Sequence, residues 1–273
     1  MDNIDNIPLW KQAIYLFRYC DIVAFFEGFF DESGTHSGSP TIAVAGAIAK
    51  QSDWSLILDS WIDVLSKPKF NVSHFHASEL AHFRGPYKGW DKQKQIDLSR
   101  ELLDVINGYD IVFITVAVPR LLYEKVLADF PSVKLNPYGF CCMCAVDEVI
   151  RYIRETNKGT VSLVFGKGQD FESQPSTIGL RDELLFPRVK DYYQFDGLRQ
   201  GSREEFRQLE VADLIAYESY KHWTNRIQRT GRPPRKSLVR LVNGNRNVGG
   251  LMNEEGVRQY LSTFDVLWNR ESE

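Results

Sequence analysis

A chain of 273 residues with 43% apolar content is long enough to bury a sizeable core, and it holds no repeat or low-complexity tract. Its formal charge of −3 provides no global field that would gather nucleic acid, which leaves that task to a local basic segment. Residues 1–11 lack the basic-then-apolar order of a secretory leader, and no apolar run reaches the roughly 18 residues needed to cross a bilayer, so the expectation is one cytoplasmic domain over residues 1–273.

The first apolar run, Ile22 to Phe30, meets Asp31-Glu32-Ser33-Gly34, and turn residues Thr35 to Pro40 separate it from a second run, Thr41 to Ile48. This predicts a β-hairpin whose first strand stops at a carboxylate. Trp54, Ile57, Leu58, Trp61 and Leu65 recur at helical spacing, with Ser52 as a cap. A short strand is expected at Val72 to His76, then a Gly/Pro-containing loop through Trp90, an amphipathic helix over Asp91 to Ile106 and a buried strand over Asp110 to Val118. Pro137 to Thr156 reads as helix and Val161 to Phe165 as strand. A helical stretch around Leu180 to Leu185, a strand at Tyr192 to Phe195 and a helix over Glu204 to Trp223 follow. Beyond Arg226, Pro233-Pro234 and several glycines suggest an extended arm, about residues 224–253, before a helix at Glu254 to Trp268. Alternating strands and helices after the hairpin argue for a mixed sheet flanked by helices.

Cys20 stands alone, whereas Cys141, Cys142 and Cys144 crowd one helical segment where neighbours do not bridge, which fits reduced, buried thiols. A Cys-x-x-Cys metal site from Cys141 and Cys144 would lack its second pair.

Strand alternation puts Asp31 on the face of Phe29 and Glu27, with Glu32 opposite. A carboxylate beside phenylalanines loses hydration and needs a cation or a donor; the simpler alternative is a turn cap on Ser33 or Gly34. In the late helix, Leu209, Asp213, Ala216 and Tyr220 share one face, so Asp213 interrupts an apolar stripe, with Glu210 one turn earlier. Hard divalent cations prefer such oxygen ligands, and the competing reading is a salt bridge to an arginine such as Arg199. His76-Ala77-Ser78-Glu79 offers a third carboxylate in Glu79, whereas His74 and His76 lack a third zinc ligand. Asp170, past the strand at Val161 to Phe165, is a further candidate, but Gly166 to Asp170 does not complete a phosphate-binding loop. Between Lys221 and Asn253 there is no acidic residue, and Arg226, Arg229, Arg232, Arg235 and Lys236, with Lys167, form a candidate nucleic-acid track.

Phe29-Phe30-Asp31-Glu32-Ser33-Gly34, Phe75-His76-Ala77-Ser78-Glu79-Leu80 and Leu209-Glu210-Val211-Ala212-Asp213-Leu214-Ile215-Ala216, in this order, resemble the Domain of Unknown Function 3800 family from about Ile22 to Trp223. The resemblance implies an α/β, ribonuclease H-like fold, with a first strand ending in Asp31 beside a final helix bearing Asp213, the two jointly holding Mg²⁺ or Mn²⁺. Two positions depart from the pattern: Glu210 stands where the family usually has glutamine, and Gly166 where a related nuclease would have aspartate.

The expected function is therefore a metal-dependent nuclease that hydrolyses phosphodiester bonds of DNA or RNA, with Asp31, Glu79 and Asp213 catalytic and Asp31, Asp213, Glu210 and Asp170 as metal ligands. A nucleic-acid-binding protein of the same fold without catalysis is the alternative that Gly166 favours, and a small-nucleotide hydrolase is a third.

Overall fold

The computed structural model describes residues 25–156, 159–167 and 195–270. A six-stranded mixed sheet runs in the order β5-β4-β1-β2-β3-β6. Strands β1 (Phe25–Ser33), β2 (Thr41–Lys50) and β3 (Val112–Pro119) form an antiparallel meander. Strands β4 (Thr160–Gly166) and β5 (Phe195–Gly201) add in parallel beyond β1, and β6 (Arg246–Leu251) adds in parallel beyond β3.

Helices cover both faces, which is why β2 is buried at nine consecutive positions. On one face, Ile42, Val44 and Ile48 pack with α5 (Pro137–Thr156), α4 (Arg120–Leu127) and α8 (Glu254–Arg270). On the other, Ala45, Ala47 and Ala49 face α6 (Gln208–Ile227), with α1 (Gln51–Ser66), α2 (Ala77–Ala81), α3 (Lys92–Asn107) and α7 (Lys236–Asn243) on the same side. The alternation in β2 is thus branched side chains toward α5 and alanines toward α6. Small side chains let α6 lie close over β1 and β2. Gly34, at φ 87°, turns the chain between these strands, where an added Cβ would stand 2.3 Å from the Thr41 carbonyl and 2.6 Å from the Tyr220 ring.

The hairpin, the helices α1, α3, α5 and α8, and strands β3 and β4 fall where the sequence places them, although Ser52 lies inside α1, whose N-cap is Lys50. Helix α6 begins at Gln208 rather than Glu204, because residues 203–205 form a turn. Three further segments differ. Strand β1 continues through Ser33, so Asp31 lies within the ladder opposite Ala45. Val72 to His76 forms no strand, because side chains partner its backbone: the Tyr87 hydroxyl donates to the His74 carbonyl at 3.1 Å and accepts from the His76 amide at 3.4 Å. The basic segment is no extended arm, since α6 runs to Ile227 and the chain then folds back as α7 and β6. Leu238 and Leu241 supply the reason, being buried on one side of α7 against the α6-side core. The helix expected at Leu180 to Leu185 lies outside the described residues, as does all of Tyr192 to Phe195 except Phe195, which opens β5. Among the described residues, no helix is long and apolar enough to cross a membrane.

Candidate functional site

Asp31 on β1 and Asp213 on α6, 182 positions apart in the chain, converge beside the sheet with only 6% and 5% of their surfaces exposed. Arg203 lies between them. Its Nη2 is 2.7 Å from Asp31 Oδ2 and 3.5 Å from Asp213 Oδ1. Arg203 comes from the turn between β5 and α6, which Ser202 and Glu205 brace reciprocally: the Ser202 amide donates to Glu205 Oε2 at 2.8 Å and the Glu205 amide to Ser202 Oγ at 3.3 Å. The remaining oxygens are also engaged. Asp31 Oδ1 accepts from the Glu32 amide at 3.0 Å, and Asp213 Oδ2 accepts from the Ala77 amide at 2.7 Å and pairs with His76 Nδ1 at 2.9 Å. Asp213 therefore caps the short helix α2 from outside and holds the His76 loop against α6.

Glu32 adds a third carboxyl, and its Oε2 is shut off from water with no hydrogen-bond partner. Two buried aspartates on one guanidinium, with the charge of Glu32 next along β1, leave the cluster short of positive charge. Burial pushes the Asp31 carboxyl up despite Arg203, and the facing Asp213 adds to the rise. The same carboxylates push the Arg203 guanidinium up against its own burial. Burial, then the charge of Asp31, holds Glu32 well above the ordinary glutamate value of 4.5.

Because the folded chain favours protonated Glu32, it binds more protons than the unfolded chain between 4.5 and the raised value. That contribution to stability is complete below the ordinary value and is lost as pH rises through the raised one. Glu32→Gln should thus be at least as stable as the wild type at pH 7, with the difference closing toward pH 4. Urea denaturation at both pH values checks this, and a variant less stable at pH 7 would refute it.

The other predicted residues are not gathered here. Glu210 points away to the α1 side, where its Oε2 accepts from Trp61 Nε1 at 2.8 Å and its Oε1 lies 3.3 Å from Arg207. Its role is to lock α6 to α1. Glu79 sits on α2, its Oε2 4.0 Å from His74 Nε2, without a direct contact to Asp31 or Asp213 among the described residues. Lys167, just past β4, lies 3.5 Å from Glu205 beneath the Arg203 turn. Asp170 is outside the described residues. Gly166 borders Asp31 so closely that an added Cβ would stand 2.6 Å from Oδ1, so this position leaves no room for a further side chain unless Asp31 moves.

Of the basic residues, Arg226 sits 5.6 Å from the Trp223 ring, and Arg229 and Arg232 lie on the exposed stretch after α6. Arg235 and Lys236 turn back toward α6, with Arg235 3.4 Å from Glu218. Cys141, Cys142 and Cys144 are free and buried in the α5 core. Among the described residues, no group of three or more histidine, cysteine, aspartate or glutamate side chains is arranged to hold a metal ion. The arginine partner of Asp213 is Arg203 rather than Arg199, and the one sequence sign of it was the Ser202-x-x-Glu205 pattern that braces its turn. No protein-family model matches the chain, and no curated protein is found similar to it.

Proposed function

We propose that the chain is a metal-dependent nuclease of ribonuclease H-like fold acting in the cytoplasm, with Asp31 and Asp213 as its central carboxylates. The observation that carries this reading is the convergence of two buried aspartates, one from the central strand β1 and one from the late helix α6, on a single cation. Such a pair is stable only with positive charge between its members. The donors facing this position are oxygens of Asp31 and Asp213, the type of ligand that Mg²⁺ or Mn²⁺ takes.

Asp31 and Asp213 are the residues that would hold the ion, in the place that Arg203 takes. A divalent cation there supplies a lowered pKa for an attacking water and charge stabilisation for the leaving oxygen. The planar fork of Arg203 is suited to a phosphate oxygen, which it would bind if it left the aspartates. His76 keeps Asp213 oriented, and the Ala77 amide keeps one of its oxygens from turning away.

The second reading, a nucleic-acid-binding protein without catalysis, is favoured by Gly166 and by the guanidinium already filling the place between the aspartates. Calorimetric titration of Mn²⁺ into wild type, Asp31→Asn and Asp213→Asn, followed by cleavage assays on DNA and RNA with and without metal, separates the two. The nuclease reading expects metal uptake by the wild type, its loss in both variants, and cleavage that falls to background with it. Unchanged uptake in both variants, together with salt-sensitive but metal-independent nucleic-acid binding, would support the binding protein instead.

A further inference from the structure

A cavity of about 650 Å³, with Ala77 in its wall, opens between α2, α3, α6 and α7. Its apolar lining comes from Phe75, Leu80, Leu103, Leu214 and Tyr217, and its cations are Lys92, Arg100, Arg235, Lys236 and Arg240. Five cations against the single carboxyl of Glu218 make this a concentrated positive field on a chain of net negative charge. Arg100 and Arg240 are paired with Asp97 and Asp104 at exposed positions, where such pairs are weak and exchange readily, and Lys236 has no ion-pair partner among the described residues.

Glu218 is the second observation. It is 3% exposed and lines the cavity; its Oε1 is 3.4 Å from Arg235, while its Oε2 is buried with no hydrogen-bond partner. A buried acceptor without a donor is costly, and a ligand that brings an N–H group removes that cost. The cavity therefore asks for three features in one molecule: a flat apolar body, an N–H edge and an anionic group.

We propose that this cavity is a nucleotide subsite, with the base against Leu80, Leu103 and Tyr217, its N–H edge toward Glu218, and the phosphate held by Arg100, Lys236 and Arg240. The assignment deepens the phosphodiester reading and rests on it for the class of substrate. Helix α6 links the two places, because Asp213 and then Leu214, Tyr217 and Glu218 follow one another over less than two turns. Of the predicted basic track, Arg235 and Lys236 belong to this subsite, joined by Lys92 and Arg100 from α3 and Arg240 from α7.

The test is calorimetric titration, in EDTA, of guanosine 5′-monophosphate and of a guanine-containing single-stranded oligonucleotide. The proteins are the full chain, the double variant Arg100→Glu/Lys236→Glu, and Glu218→Gln, which puts an amide donor in place of a carboxyl oxygen. Saturable binding by the full chain is expected, weakened roughly tenfold or more by each variant, while thermal melting shows all three folded. Binding of the monophosphate assigns the subsite to a free nucleotide; binding of the oligonucleotide alone assigns it to one unit of a strand. Absence of saturable binding for both ligands, or affinities untouched by both variants, would overturn the proposal. A chain that binds here in EDTA yet never cuts once Mn²⁺ is supplied defeats the nuclease reading alone. A chain that cuts while neither variant alters binding or cleavage defeats the subsite alone.

Discussion

Arg203→Ala is expected to lower stability by about 3 kcal/mol, the lower end of the range for stripping a buried carboxylate of its partner. The lower end applies because the Arg203 side chain keeps 33% of its surface exposed, so water relieves part of the loss, whereas the side chains of Asp31 and Asp213 keep 7% each. What the variant leaves behind is two facing carboxyls with Glu32 beside them and no cation. The penalty should be strongly non-additive: in Arg203→Ala/Asp31→Asn, removal of one of the facing charges recovers most of the lost stability. Urea denaturation of the four members of the cycle measures this coupling. Additive losses would mean that Arg203 acts through its turn rather than through the carboxylates. Mn²⁺ supplies a distinct readout, since under the nuclease reading it raises the melting temperature of Arg203→Ala more than that of the wild type.

Asp213→Ala is the second large effect, also of about 3 kcal/mol, and its origin is different. The carboxylate accepts from the Ala77 amide, pairs with His76 and faces Arg203, so its deletion orphans a buried backbone donor, a ring nitrogen and part of a guanidinium at once. The loss is local in the first instance, because Ala77 opens α2 and the loop before it has no strand partner to hold it. Hydrogen exchange at the amides of residues 76–81 should rise well before that of β1 or β2 in this variant. Protection at Ala77 equal to that in the wild type would show that α2 is held by Leu80 and Phe75 packing alone. Asp213→Asn keeps an acceptor for the Ala77 amide and should cost less than alanine, which separates the cap from the charge.

The local elements were legible where one periodicity dominates. Trp54 to Leu65, Asp91 to Ile106 and the β-branched run of β3 carry their structure in the spacing of apolar residues, and a face so marked folds the same way in many contexts. Asp31 and Asp213 were legible as candidates because each breaks an apolar pattern, and a carboxylate there demands a compensating partner. Glu210 breaks the same helix pattern and turned out to serve Trp61, since sequence spacing gives a direction around the helix and not the identity of the neighbour. The basic segment misled through its prolines and glycines, which mark its turns, while Leu238 and Leu241 quietly supply a buried helix face.

What the sequence determined by itself is therefore the set of strands and helices with strong periodicity, the mixed α/β character of the sheet, and the two aspartates that need a partner. Tertiary structure alone decided that the partner is Arg203, that His76 and the Ala77 amide hold Asp213, that Glu79 and Glu210 stand apart, and that cations from α3 and α7 meet around Glu218. The physical reason is the range of the interactions: periodicity acts over neighbouring turns and is written locally, whereas charge pairing and burial join groups as far apart as Asp31 and Asp213, whose meeting depends on the alanines of β2 that let α6 come close.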